Sequence, residues 1–188
     1  MILRGEEALR GLSADRLEPV YLIVGDHAWL KDQFALQLEE MAVPAEWRSM
    51  NAEVIWADEV AEDGVVETAL TPPFGSPRRF MLVRNVEAYR GDPGREAAGE
   101  ETASGGGEKA AGAPSTGSGS RAVRRPRDAQ ARSALLDYLR RPFPSTVMAL
   151  FSERREIARW QKDELFSAAA RAGSAVLCER PRGDAVRD

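Results

Sequence analysis

The chain has only one cysteine, Cys178, and one histidine, His27, among its 188 residues. A single cysteine excludes an internal disulfide and any metal site made from clustered cysteines. A single histidine in a predicted turn argues against the usual catalytic triads and most zinc chemistry, so His27 is not assigned to a site. We therefore predict no metal site, no cofactor and no catalytic residue.

Long hydrophobic runs are also missing. No apolar stretch approaches the roughly 18 residues that a membrane span needs, and Glu6 and Glu7 stand where a signal peptide would be apolar. Hydrophobic residues make up 43% of the chain and charged residues 30%, which is ordinary for a globular protein. The sequence thus predicts a cytoplasmic protein with no membrane segment and no export.

Positive charge is scarce in the first half of the chain. Residues 1–90 carry 9 basic and 16 acidic side chains, a net of −7, whereas residues 121–188 carry 15 and 9, a net of +6. Nearly all of this positive charge is arginine, which favours contact with phosphate groups, although a solvated arginine-rich surface explains it equally well. On the first interpretation, Arg154, Arg155 and Arg159 are candidate DNA contacts.

Residues 91–128 contain almost nothing to bury. They are mainly Gly, Ala, Ser, Glu and Arg, a composition typical of a flexible, disordered insertion. We predict that this insertion divides one α/β domain into residues 1–90 and 129–180, with 181–188 as a tail. Its basic end is expected to be a solvated linker rather than a nucleic-acid contact.

The clearest strand is Val20–Val24, a continuous apolar run that suits a central parallel strand covered on both faces. Gly25 and Asp26 end this strand, and Asp26 is predicted to cap the helix that follows. Apolar residues recur at helical spacing through that helix, at Leu30, Phe34, Leu38 and Met41. The unit is a strand, a tight turn and a helix.

The turn Gly25–Asp32 occupies the place where a nucleotide-binding protein carries its phosphate loop. A P-loop needs several glycines, a lysine and a following Ser or Thr to hold phosphate and magnesium. This turn has one glycine, and Lys31 is followed by Asp32. Because the carboxylates of Asp26 and Asp32 would repel phosphate, the sequence predicts no functional P-loop and disfavours an active nucleotide hydrolase.

Strands and helices alternate along the rest of the chain. Further strands are predicted at 47–50, 80–83, 146–151 and 175–178, and helices at 5–13, 58–70, 131–141 and 160–172. The alternation of about five strands with helices predicts an α/β fold, in which a mostly parallel five-stranded sheet has helices on both faces.

The stretch 70–85 places an aromatic side chain on a stiff loop. Pro72 and Pro73 force an extended path, and Phe74 follows them, next to the turn residue Gly75. Two interpretations are open. Either the Phe74 ring folds back into the core, or it is presented to a partner's pocket, since a rigid loop loses little entropy on binding.

Three stretches carry a resemblance to a known family. They are LEPVYLIVGDHAWLKDQFALQL, LTPPFGSPRRFMLVRN and ALLDYLRRPFPSTVMALFSERR, the last followed by a helix that ends in Ala-Gly and a strand that ends in Cys. In this order they resemble the N-terminal domain of the delta subunit of bacterial DNA polymerase III, the clamp-loader wrench. The resemblance covers residues 5–180 apart from the insertion, and it implies a RecA-like, AAA+-type domain that has lost ATP hydrolysis.

In that family, the loop before the third strand inserts apolar side chains into a pocket of the ring-shaped sliding clamp and holds the ring open. The resemblance implies a non-catalytic subunit whose partners are the sliding clamp, the other loader subunits and, through the complex, primed DNA. Phe74 matches the inserted aromatic residue. Leu70 and Pro73 lie near the positions of its apolar companions, and Thr71 and Pro72 complete the candidate clamp-binding loop.

The chain departs from the family pattern in several ways. Pro73 stands where members usually have Leu or Phe, and Pro77 lengthens the segment before the paired arginines. The insertion at 91–128 is also longer than is usual in the family. Full-length members continue into a lid domain and a collar domain, which this chain is expected to lack, so it is not expected to assemble the pentameric loader alone.

Two other classes of protein fit parts of the sequence. A signalling receiver domain has a similar acidic turn after its first strand, and Arg180-Pro181 loosely resembles its Lys-Pro pair. A receiver also needs a phosphoacceptor aspartate at the end of a middle strand, where this chain has Arg84-Asn85. The remaining alternative is an inactive P-loop-type interaction module with a different partner.

Overall fold

The computed structural model describes residues 2–89, 133–152 and 163–180. The predicted insertion at 91–128 and the predicted tail at 181–188 lie outside these residues. So do the three candidate DNA contacts, Arg154, Arg155 and Arg159.

Six parallel strands within these ranges form one sheet. They are β1 (Ile2–Arg4), β2 (Val20–Val24), β3 (Ala52–Trp56), β4 (Arg79–Arg84), β5 (Thr146–Ser152) and β6 (Ser174–Leu177). Their order is β1-β6-β2-β5-β4-β3, and every neighbouring pair is parallel. All residues of the central strands β2 and β5 are buried. The predicted α/β class with a parallel sheet is confirmed, with six strands instead of five.

Helices cover both faces of the sheet. They are α1 (Gly5–Gly11), α2 (Ala28–Ala42), α3 (Arg48–Asn51), α4 (Glu62–Leu70), α5 (Ala134–Arg140) and α6 (Glu164–Ala172). On one face, Phe34 and Leu38 of α2 pack with Phe80 in a core that α1 also joins. On the other face, α4, α5 and α6 form a second core that includes Leu135 and Phe166. No helix within the described ranges is long and apolar enough to cross a membrane.

The strand predicted at 47–50 is wrong. Pro44 begins a short 3-10 turn, Ala45–Trp47, in which the Trp47 N–H donates to the Pro44 carbonyl at 2.9 Å, and α3 follows. The strand in this part of the chain is β3, which lies at the edge of the sheet and buries Ile55 but exposes Val54 and Trp56. An edge strand of this kind lacks the continuous apolar run that reveals a central strand.

The extra strand, β1, lies at the opposite edge of the sheet and is only three residues long, too short to show a period. Other predicted elements have the correct type with shifted ends. The helix predicted from residue 58 begins at Glu62, because residues 57–59 form a turn in which the N–H groups of Glu59 and Val60 each donate to the Trp56 carbonyl at 3.0 Å. In the described residues, the helix predicted at 160–172 begins at Glu164, capped by Asp163.

Candidate functional site

The turn after β2 lies at the carboxyl edge of the sheet, next to the end of β5. Open α/β sheets bind their ligands at such a point. Lys31 stands where a P-loop would have its lysine, but its side chain is only 2% exposed. Its Nζ lies 3.4 Å from the Ser152 carbonyl oxygen and 5.8 Å from the centre of the Phe151 ring. The ammonium group is thus engaged by β5, which supports the prediction of a turn without P-loop chemistry.

The prediction that Asp26 caps α2 is wrong. His27 is the N-cap, and its Nδ1 accepts from the Leu30 N–H at 3.3 Å. The Asp26 Oδ1 instead accepts from the backbone N–H of Arg180 at 3.3 Å, which joins the turn to the segment after β6. The reason is that α2 starts at Ala28, so His27 is the residue directly before the helix and Asp26 lies one position too early to cap it.

Cys178 follows β6 and packs beneath the same turn. Burial raises the pKa of its thiol from the usual 9.0 to about 12, so the thiol stays protonated at neutral pH.

We expect the folded chain to react with Ellman's reagent about a hundredfold more slowly than the chain unfolded in urea, and to stay slow up to pH 10. Because Cys178 is the sole cysteine, the released chromophore reports on it alone. Equal rates for the folded and unfolded chains would contradict the burial.

The loop between α4 and β4 exposes two large apolar side chains. We refer to residues 70–75 as the Phe74 loop. Phe74 is 63% exposed and Leu70 is 51% exposed, whereas Val65 and Ala69 of the preceding helix are fully buried. The first of the two interpretations, in which the Phe74 ring folds back into the core, is therefore excluded.

Side chains from α3 and the turn before it hold the Phe74 loop. The Asn51 Oδ1 accepts from the Phe74 N–H at 2.7 Å, and its Nδ2 donates to the Phe74 carbonyl at 2.8 Å. The Trp47 ring packs edge-on against the Phe74 ring, with centroids 5.8 Å apart. Gly75 has a φ of 67°, and a Cβ there would lie 2.6 Å from the Trp47 ring, so only glycine fits.

Arg79, at the start of β4, fixes the end of α4. Its side chain is buried, and its guanidinium donates to the carbonyls of Thr68 at 2.9 Å and Thr71 at 3.1 Å. The Thr146 hydroxyl donates to the Ala69 carbonyl at 2.7 Å. Helix-terminal carbonyls need such partners, because they have none within the helix. The loop thus leaves the helix from a fixed point.

The five predicted clamp-binding residues lie together in this loop. Leu70, Thr71, Pro72 and Phe74 are exposed, and Pro73 is half-buried. Sequence reasoning did not find Trp47 and Asn51. No spacing rule connects Asn51 with Phe74, which is 23 residues away, so no signal in the sequence could have found that contact.

Other surfaces of the described residues show fewer features of a binding site. A groove of about 430 Å³ lies between α5 and α6, and Arg140 and Arg171 stand among its lining residues. The described residues as a whole hold no group of three or more His, Cys, Asp or Glu side chains that could bind a metal ion. The Phe74 loop is therefore the candidate site.

No protein-family model and no curated protein matches the sequence. The fold is similar to that of the Bacillus subtilis DNA clamp loader delta protein, with a TM-score of 0.61 and 20% identity over 94% of this chain and 42% of that one. It is also similar to a DNA polymerase III gamma subunit-related protein of Thermotoga maritima, with a TM-score of 0.52 and 14% identity over 95% of this chain and 47% of that one. At these identities the likeness concerns the fold, and this chain spans less than half of either protein.

Proposed function

We propose that the chain is the N-terminal domain of a clamp-loader delta-type subunit and that it binds a sliding clamp through the Phe74 loop. The observation that carries this proposal is the exposure of Phe74, 63%, at the tip of a loop that buried side chains hold in place. The likeness in fold to clamp-loader proteins supports the choice of partner.

The physical case rests on the small loss of freedom when this loop binds. Aromatic rings that enter a pocket dominate the energy of many interfaces, because they bury a large area with few rotatable bonds. The backbone of Phe74 is already fixed at both its N–H and its carbonyl by Asn51, so binding does not have to order it. Leu70, also exposed, offers a second apolar contact from the end of α4.

The proposed subunit is non-catalytic. The turn Gly25–Asp32 has one glycine and two carboxylates, and the Lys31 ammonium contacts the end of β5. Opening of the clamp, contacts with the other loader subunits and delivery to primed DNA belong to the proposal for the whole complex, in which this domain supplies the contact with the clamp.

The direct test is binding of the purified chain to a purified bacterial sliding clamp. We expect saturable binding that an excess of unlabelled chain displaces, measured by isothermal titration calorimetry or by anisotropy of a labelled chain. Because the contact is apolar, it should change little between 50 and 300 mM salt, whereas binding through charge would weaken strongly. No saturable binding to the clamp, or binding that disappears at the higher salt, would overturn the proposal.

A further inference from the structure

We infer that Asn51 is the positioning residue of the Phe74 loop, and that affinity for the partner depends on it although it does not touch the partner. The inference rests on the proposed function of this loop. It extends that function, because it attributes the fixed conformation of the loop to one buried side chain in a different element, α3.

The geometry uses the whole amide group. Asn51 makes three hydrogen bonds: Oδ1 accepts from the Phe74 N–H at 2.7 Å, and Nδ2 donates to the carbonyls of Phe74 at 2.8 Å and of Trp47 at 3.0 Å. The two protons of Nδ2 are thus both used. The side chain is 1% exposed, so these bonds are shielded from competing water.

The arrangement admits one orientation of the amide. If the amide were reversed, its NH₂ group would face the Phe74 N–H, and its oxygen would face two carbonyl oxygens. Aspartate at this position would keep the acceptor but would place a carboxylate oxygen against the carbonyls of Phe74 and Trp47. The site therefore needs a side chain that both donates and accepts at this length, which is what asparagine provides.

The position of Asn51 explains how a local bond can set the direction of the ring. Asn51 is the last residue of α3, directly before β3, so its backbone is fixed by the edge of the sheet. The Trp47 carbonyl, one helical turn earlier, is bound by the same amide, and the Trp47 ring packs on Phe74. Without Asn51, the Phe74 N–H and carbonyl lose these partners, and the loop samples other conformations.

The experiment compares Asn51→Ala with Ser76→Ala, a matched control from the same segment. The Ser76 hydroxyl donates to the Arg78 carbonyl at 2.8 Å, so its loss removes a loop hydrogen bond without touching Phe74. We expect Asn51→Ala to speed hydrogen exchange at the Phe74 amide in the free chain and to weaken binding to the sliding clamp by about tenfold, the factor that follows if one molecule in ten keeps the competent loop. Ser76→Ala should change neither quantity by more than about twofold.

A double variant separates positioning from general stability. In the Phe74→Ala background, Asn51→Ala should cause no further loss of affinity beyond about twofold, because its effect is exerted through Phe74. If Asn51→Ala does not fold, Asn51→Ser is the second variant, since it brings no charge into the buried site but is too short to bond both the N–H and the carbonyl of Phe74, and it should also weaken binding by about tenfold. Circular dichroism below the melting temperature confirms that each variant is folded.

The outcomes distinguish this inference from the proposed function. If Phe74→Ala binds the clamp as tightly as wild type, the proposed function is wrong. Hydrogen exchange at the Phe74 amide in the free chain then still tests whether Asn51 fixes the conformation of the loop. If Phe74→Ala loses affinity while folded Asn51→Ala or Asn51→Ser does not, the proposed function stands and the inference is wrong. Unchanged exchange at the Phe74 amide in Asn51→Ala would equally overturn the inference.

Discussion

Replacing Phe74 with alanine is expected to weaken binding to the sliding clamp by about 2 kcal/mol or more, roughly thirtyfold. The ring is the largest apolar group of the Phe74 loop, and its backbone is held by Asn51, so the ring contributes its burial with little loss of entropy. The free energy of unfolding should change by less than about 0.5 kcal/mol, because the side chain is mostly exposed. Isothermal titration calorimetry and urea denaturation measure the two quantities.

The matched control is Trp29→Ala. Trp29 is 64% exposed, almost the same as Phe74, and it lies in the first turn of α2. Its removal takes an equally exposed and larger aromatic ring from the surface, yet it should leave the clamp affinity unchanged. If both variants lose affinity to the same extent, binding reflects nonspecific association of exposed aromatic rings and not a specific contact through the Phe74 loop. If Phe74→Ala retains full affinity, the loop is not the contact.

Gly25→Ala is expected to destabilise the fold by about 3 kcal/mol or more, the largest effect on stability that we predict. Gly25 has a φ of 123°, and a Cβ there would lie 2.1 Å from the Cys178 carbonyl oxygen. That oxygen accepts from the His27 N–H at 3.0 Å, and the Cys178 N–H donates to the Val24 carbonyl at 2.7 Å. An alanine would push these groups apart and separate the ends of β2 and β6.

Gly11→Ala is the control for this substitution. Gly11 ends α1, and a Cβ there meets no atom within 4 Å. The change should shift the free energy of unfolding by less than about 0.5 kcal/mol, or stabilise the chain slightly by restricting its unfolded state. Urea denaturation followed by circular dichroism measures both variants. A loss below about 1 kcal/mol for Gly25→Ala would show that the turn relaxes to admit a side chain.

The central part of the fold could be predicted because its strands are buried on both faces. Val20–Val24 and residues 146–151 are continuous apolar runs, and the structure places both in the middle of the sheet. The edge strands could not be predicted in the same way. β3 exposes Val54 and Trp56 to solvent, and β1 is three residues long, so neither has a run or a period to detect.

The position of the candidate site could be predicted from the sequence, but whether the Phe74 ring is exposed could not. Two prolines and a glycine around Phe74 indicate a stiff loop, yet the same pattern suits a ring that folds inward. The choice depends on Asn51, which holds the backbone, and on Trp47, which occupies the space beside the ring. Trp47 belongs to the segment 47–50, for which the sequence predicts a strand, and Asn51 follows that segment directly, so the contacts that decide the exposure of Phe74 arise only in three dimensions.

The direction of the strands separates the two surfaces described above. The Phe74 loop precedes β4 and so lies at the amino rim of the sheet, whereas the turn with Gly25 follows β2 and lies at the carboxyl rim. A parallel strand of this length puts about 20 Å between the two rims. A molecule bound to Phe74 therefore lies at the rim opposite Gly25 and Trp29, so a substitution in that turn can reach the bound molecule only through the strands between the two rims.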